Sequence, residues 1–298
     1  TVPIGDQAWG FDPYVGDIHQ NLVRGRGASD MKSAVAAFIG AANIINQRET
    51  PLACDVILAF TAGESANCLG ARHLVKQGFQ DEIGAFLCGE PSSMNLIIVE
   101  KAIFWLQAEA KGTLGHVSGK TGINAIELMT DFLSTLRRLD LDLPEHPLLT
   151  PPSVHVGTIS GGNAVNITPD RCVALIDVRF GPGIDPNEVF QKIESILPES
   201  ISLSVLDFKP AVEERPDSAF SKCCINAIQS VTGKHPKILG VSYYSDGAIL
   251  LNEIDVPFAI VGPGDLGMSG QYNETCRVER ISMAVDSYVK IAENWGSA

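Results

Sequence analysis

Apolar and polar positions along this chain follow two different rhythms. Toward both ends, short and nearly continuous apolar runs alternate with longer stretches of helical periodicity. Helices are expected over 31–46, 70–78, 218–231, 248–252 and 281–295, and strands over 55–61, 85–88, 96–99, 237–239 and 257–261. A run such as Val56-Ile57-Leu58-Ala59-Phe60 has no polar alternation, the pattern of a strand covered on both faces. The middle of the chain reads differently: strand 104–111, helix 124–138, strands 153–159 and 171–180, helix 186–197 and strand 202–208. Asp185 as cap and Pro186 in the first turn mark the start of the second of these helices. Gly161-Gly162-Asn163 and Pro151-Pro152 punctuate the segment as turns. The order β-α-β-β-α-β is that of a ferredoxin-like unit. The predicted fold is therefore α/β, a mostly parallel mixed sheet with helices on both faces, built from residues 1–102 and 211–298. A ferredoxin-like domain is inserted at 103–210.

Composition narrows the class of protein. The 298 residues are 45% hydrophobic, enough for a full core and more than one domain, and the net charge is −13. A field of that sign opposes nucleic acid and anionic membranes as partners. The seven cysteines include no C-x-x-C pair, and Cys54, Cys88 and Cys172 have apolar neighbours, so reduced thiols are expected. No apolar run reaches the roughly 18 residues of a membrane span, and no signal peptide is recognisable. The expectation is a soluble, cytoplasmic protein.

Candidate chemistry begins at Arg24-Gly25-Arg26-Gly27-Ala28-Ser29-Asp30-Met31-Lys32. Asp30 stands where a helix cap is expected, a role worth about 1 kcal/mol over Ala, and equally where a tight turn could hold a metal ligand. Glu64 follows the apolar run 56–60, and Glu90 follows 85–88. Ligands of open parallel sheets collect at the carboxyl ends of strands, so Asp30, Glu64 and Glu90 are candidates for one cluster. Carboxylates brought that close raise one another's pKa values, and a divalent cation relieves the repulsion.

These segments resemble the motifs of the co-catalytic zinc amidohydrolases and peptidases that include acetylornithine deacetylase, succinyl-diaminopimelate desuccinylase, aminoacylase and carboxypeptidase G. The stretch through Asp30 is similar to "GRGxxDMK", TAGESANCLGA at 61–71 to "TxxEExxxxGA", and GEPS at 89–92 to its counterpart. GHVSGKTGINAI at 115–126 resembles the lid motif "HxSxPxxGxNAI"; GGNAVNITPD at 161–170 and Asp177-Val178-Arg179 resemble later lid motifs. Segments 244–247 and 261–274 resemble the C-terminal "SDA" and "GPG…NE" blocks. The resemblance spans essentially the whole chain in the family's order. It implies two zinc ions, with Asp30 as the bridging ligand, Glu90 as a ligand of the first metal and Glu64 as general base. It further implies His116 as oxyanion donor, commonly delivered from the partner of a homodimer formed through the lid, and Asn166 and Arg179 as substrate contacts.

Two departures fall on the same metal. Ser65 stands where the family has a Glu ligand, and Gly270 where it has a His, both belonging to the second ion. A neutral hydroxyl is a poor zinc ligand. The first metal's His is expected in an "HxD" motif upstream of Thr1. One zinc ion or none is therefore expected here. Two functions of different class follow: an amide hydrolase acting on N-acyl amino acids or related small carboxylates through an atypical or incomplete metal site, or a catalytically silent relative that binds small molecules as a regulatory dimer.

Overall fold

The computed structural model describes residues 1–120, 122–252 and 254–295. Thr121, within the 115–126 motif, lies outside the described residues. The chain divides into two compact units, one of Thr1–Glu100, Val212–Val241 and Ser245–Ala298, the other of Lys101–Ala211 and Ser242–Tyr244.

In the first unit, strand Leu96–Glu100 is buried along its whole length and is the centre of a five-stranded sheet. Ile238–Val241 pairs with it in parallel, and Phe258–Ile260 pairs in parallel with Phe86–Cys88. Val212–Glu213 and Phe258–Ile260 meet Leu96–Glu100 antiparallel. The sheet is thus mixed, as expected, with parallel and antiparallel pairings in equal share instead of a parallel majority. The cause is the short link from Cys88 to Leu96, closed by the Asn95 N–H donating to Ser92 O at 3.0 Å, which has no room for a crossover helix. Helix Ser33–Asn46 packs against helix Val278–Trp295, with Phe38 and Tyr288 stacked at 4.2 Å between ring centroids. A small antiparallel sheet of Ile18–His19, Leu22–Arg24 and Thr275–Arg277 places Thr275 opposite Arg24. This pairing brings the turn after Arg24 against Glu274.

Two expectations fail here. Residues 55–60 run without ladder pairing, and Val56, Ile57 and Phe60 are 43%, 51% and 54% exposed. Apolar character makes a strand only where a neighbour takes its N–H and C=O groups, and no described strand pairs with this segment. Asp30 is also not a helix cap. Its backbone is extended (φ −121°, ψ 97°), and the regular helix starts three residues later at Ser33, with no capping side chain.

The second unit is a four-stranded antiparallel sheet in the spatial order Ile201–Lys209, Ala102–Lys111, Arg171–Phe180, Ser153–Gly161. Helices Ala125–Leu136 and Pro186–Glu194 complete the β-α-β-β-α-β order. Burial alternates strictly along Arg171–Phe180, so one face carries the core: Leu106, Met129, Phe132, Ile176, Val178 and Ile193 among others. The Asn124 side chain accepts from Ile126 and Glu127 N–H groups, and Asp185 accepts from Asn187 N–H, capping both helices.

Candidate active site

The turn through Asp30 is organised by one buried carboxylate. Glu274 is fully buried; its Oε1 accepts from the backbone N–H of Ser29 at 2.8 Å and of Asp30 at 2.9 Å. Its Oε2 accepts from the Gly27 N–H at 3.0 Å and from Arg26 Nη1 at 2.7 Å. Gly27 has φ +85°, a conformation glycine adopts without steric cost, and so lets successive N–H groups converge on one anion. Asp30, half-buried, accepts from the Ser269 hydroxyl. The 262–264 segment closes tightly over the turn and over the Glu90 loop. A Cβ on Gly262 would lie 2.3 Å from Glu90 O, and one on Gly264 would lie 2.2 Å from Ser29 O.

Asp30, Glu64 and Glu90 line one cavity of about 990 Å³ in the first unit, together with Ser65, Thr61 and Asp246. Glu64 begins the short helix Glu64–Asn67, presented by Gly63 at φ +77°. Burial pushes the Glu90 carboxyl well above the ordinary carboxylate range, and the charges of Asp30 and Glu64 push it further. The three acids nominated from the sequence thus share one cavity, and Asp30 and Glu64 act electrostatically on Glu90. Beside them lie two more: Glu100, which sequence reasoning did not single out, and Asp246, which it reached only as part of the 244–247 block. Glu100 is 0% exposed, with no well-formed hydrogen bond at either oxygen, and its pKa is pushed up to about 8, by burial first. Nearby Ser245 lowers it in part, while the charges of Glu64 and Asp246 raise it. Asp246 accepts from the Thr61 hydroxyl with one oxygen and leaves the other buried without a partner. Ser65 and Gly270 are both exposed. Gly270 has φ +72° and accepts from Arg26 through its carbonyl at 3.4 Å.

The donors at hand test the fit of a zinc centre. Asp30, Glu90 and Glu64 supply oxygens only, whereas zinc sites take three or four protein ligands, usually including imidazole or thiolate. Among the described residues, no group of three or more His, Cys, Asp or Glu side chains is arranged to hold a metal ion. These residues do not by themselves fit a two-zinc centre.

In the second unit, His116 and Asn166 are brought together. The two-residue strand Gly115–His116 pairs with Ile167–Thr168, and Asn166 Nδ2 lies 3.2 Å from His116 Nε2. Arg179 is placed differently from a free carboxylate fork: its Nε and Nη2 donate to Asp177, the latter at 2.9 Å, and its Nη1 donates to Ser242 O at 2.6 Å. Buried Lys101 lies nearby and donates to Thr150 Oγ1 and Pro151 O. Desolvation, then the charge of Arg179, lowers its pKa.

The sequence profile of peptidase family M20/M25/M40 matches residues 1–294. The chain belongs to this family. An acetylornithine deacetylase of Pectobacterium carotovorum is 27% identical over 288 residues, covering 92% of this chain and 72% of that protein. Succinyl-diaminopimelate desuccinylase 2 of a Ruegeria species is 28% identical over 312 residues, covering 98% and 74%. Among solved structures, an M20 family metallo-carboxypeptidase from Sulfolobus solfataricus superposes with a TM-score of 0.79 at 16% identity, covering 97% of this chain and 81% of that one. Human carnosine dipeptidase 1 gives 0.70 at 15% identity, covering 95% and 77%. At these identities the structural likenesses speak for the fold. This M20 chain is accordingly a hydrolase-family protein related to deacylases of small amides. All seven cysteines are free thiols, and no helix among the described residues is long and apolar enough to cross a membrane.

Proposed function

We propose that this M20 protein hydrolyses the amide bond of N-acyl amino acids or related small carboxylates, with Glu64 as the general base. The observation that carries the reading is the convergence of Glu64 with Asp30 and Glu90 in one cavity. Glu64 removes a proton from an attacking water, the water oxygen bonds to the acyl carbon, and the proton passes to the departing amine nitrogen as the C–N bond breaks. His116 is the donor for the carbonyl oxygen, Asn166 a substrate contact, and Arg179 a residue that would reach a substrate carboxylate only by releasing Asp177. Asp30 and Glu90 would hold at most one zinc ion, which would supply a Lewis acid beside Glu64. The 103–210 segment is the lid through which the chain forms a homodimer, and the protein works in the cytoplasm.

A second reading is favoured by Ser65 and Gly270: a silent relative that keeps a small-molecule cleft as a binding or regulatory protein. Elemental analysis of the purified protein beside a hydrolysis panel of N-acetyl and N-succinyl amino acids separates the two. The hydrolase reading expects turnover that disappears in Glu64→Gln. Turnover indifferent to that change would refute the assignment of the base, and no turnover on the panel favours the silent relative. Two equivalents of zinc per chain would sink the incomplete-site reading.

A further inference from the structure

The turn that follows His116 makes contacts that the proposed chemistry does not require but that restrict the ring. The Val117 N–H donates to Asn166 O at 3.2 Å and the Gly119 N–H to His116 O at 3.0 Å, closing a four-residue turn over 116–119. Inside that turn the Ser118 N–H donates to His116 Nδ1 at 3.2 Å, and Ser118 Oγ lies 2.7 Å from the same nitrogen. A hydroxyl can face either form of an imidazole nitrogen, because it rotates to give or accept. A backbone N–H only gives. Nδ1 must therefore present its lone pair, and a neutral imidazole then carries its single proton on Nε2.

The other side of the ring agrees once the amide is oriented. As placed, it is the amide nitrogen Nδ2 of Asn166 that lies 3.2 Å from Nε2. Two N–H groups do not face each other, and the two ends of a carboxamide have nearly the same shape. The Nε2–H therefore selects the amide oxygen as its partner. The ring is held at Nδ1 by a fixed donor, and with the Asn166 amide turned end for end it would meet an acceptor at Nε2.

We infer that the 116–119 turn locks His116 in the Nε2–H tautomer, with the Ser118 backbone N–H as the positioning group, so that this ring offers a proton, not a lone pair, to a carbonyl oxygen. The use of that proton rests on the proposed hydrolase reading; the tautomer does not. A ring of the opposite tautomer would point a lone pair at a developing oxyanion and repel it. A freely exchanging ring would present the correct face only part of the time. Asn166 acquires a second role, occupying the Nε2–H through its amide oxygen until a substrate oxygen replaces it.

The test is nitrogen NMR of the full chain labelled with ¹⁵N-histidine, at a pH where the rings are neutral, with His116→Gln identifying the resonances. The expected spectrum shows His116 Nδ1 as a pyridine-type and Nε2 as a pyrrole-type nitrogen, with no averaging. Ser118→Ala keeps the backbone donor and should keep this pattern, as should Asn166→Ala. A pyrrole-type Nδ1 or averaged shifts in the wild-type protein would overturn the inference. So would loss of the pattern in Asn166→Ala, since Asn166 rather than the turn would then be setting it. A locked tautomer without amide hydrolysis leaves the inference standing and removes the hydrolase reading. His116-dependent hydrolysis with an averaged ring does the reverse.

Discussion

Glu100 ends the central strand with its carboxyl fully enclosed, and its acidic neighbours Glu64 and Asp246 add to the cost of ionising it. Its folded pKa of about 8 stands above the ordinary 4.5. The folded state thus holds a proton that the unfolded chain has released, and stability falls as pH rises from about 4.5 to 8, then levels off. Glu100→Gln keeps the shape without the charge. Urea unfolding between pH 5 and 9 should show a shallower loss of stability in the variant and a gain at pH 8 of up to a few kcal/mol, at ~1.4 kcal/mol per pKa unit. An unchanged slope would mean that Glu100 is solvated. For turnover, Glu64→Gln should lower kcat by about 10²–10⁴-fold with little change in melting temperature, as removal of a general base does. Glu64 was legible in the sequence because a glycine and the end of an apolar run flank it. Glu100 was not, because the last residue of a strand shows no sign of whether it points to water or into a cluster of acids.

At the scale of elements, the 24–32 turn, the Glu90 loop and the 262–264 segment form one assembly. Glu274 neutralises the converging N–H groups and Arg26, and the Arg26–Glu274 pair is almost wholly buried (4% and 1% side-chain exposure). Glu274→Gln leaves Arg26 charged and unmatched, so denaturant unfolding should show a loss of about 3–5 kcal/mol, the usual result of breaking a buried ion pair from one side. Gly262→Ala is expected to destabilise too, because its methyl would meet the Glu90 carbonyl backbone at 2.3 Å, and backbone has little room to yield. If either variant unfolds like wild type, this account of the turn is wrong. The element pattern itself was readable over most of the chain: 171–180 appears within those same bounds, and Asp185 caps its helix, while Asn124, read as the first helical residue, turns out to be a cap. The failures are physical. Asp30 reads as a cap by composition, but Glu274, 244 positions away, takes its N–H and draws it out of the helix. Residues 55–60 have a strand's composition and, among the described residues, no strand paired with them.

At the scale of the molecule, two units of different sheet architecture share one chain. Among the described residues, the oxygen donors of the first unit do not complete a zinc site. Ser65→Glu combined with Gly270→His should raise bound zinc by one equivalent if those positions are lost ligands; unchanged content would mean the site needs donors other than these. Sedimentation equilibrium should give twice the chain mass if the ferredoxin-like unit dimerises, and a monomer would remove that proposal. The sequence by itself determined the family and the βαββαβ order, and it nominated Asp30, Glu64, Glu90, His116 and Asn166. It could do so because local periodicity and short motifs record which residue types each turn requires. Only the tertiary structure decided which strands pair in which direction, the Glu274 cradle, the acidity around Glu100, the occupied fork of Arg179 and the donor that the 116–119 turn aims at His116 Nδ1. Each of these depends on partners whose distance in sequence carries no trace of their distance in space, and on desolvation, which exists only once the chain has closed around them.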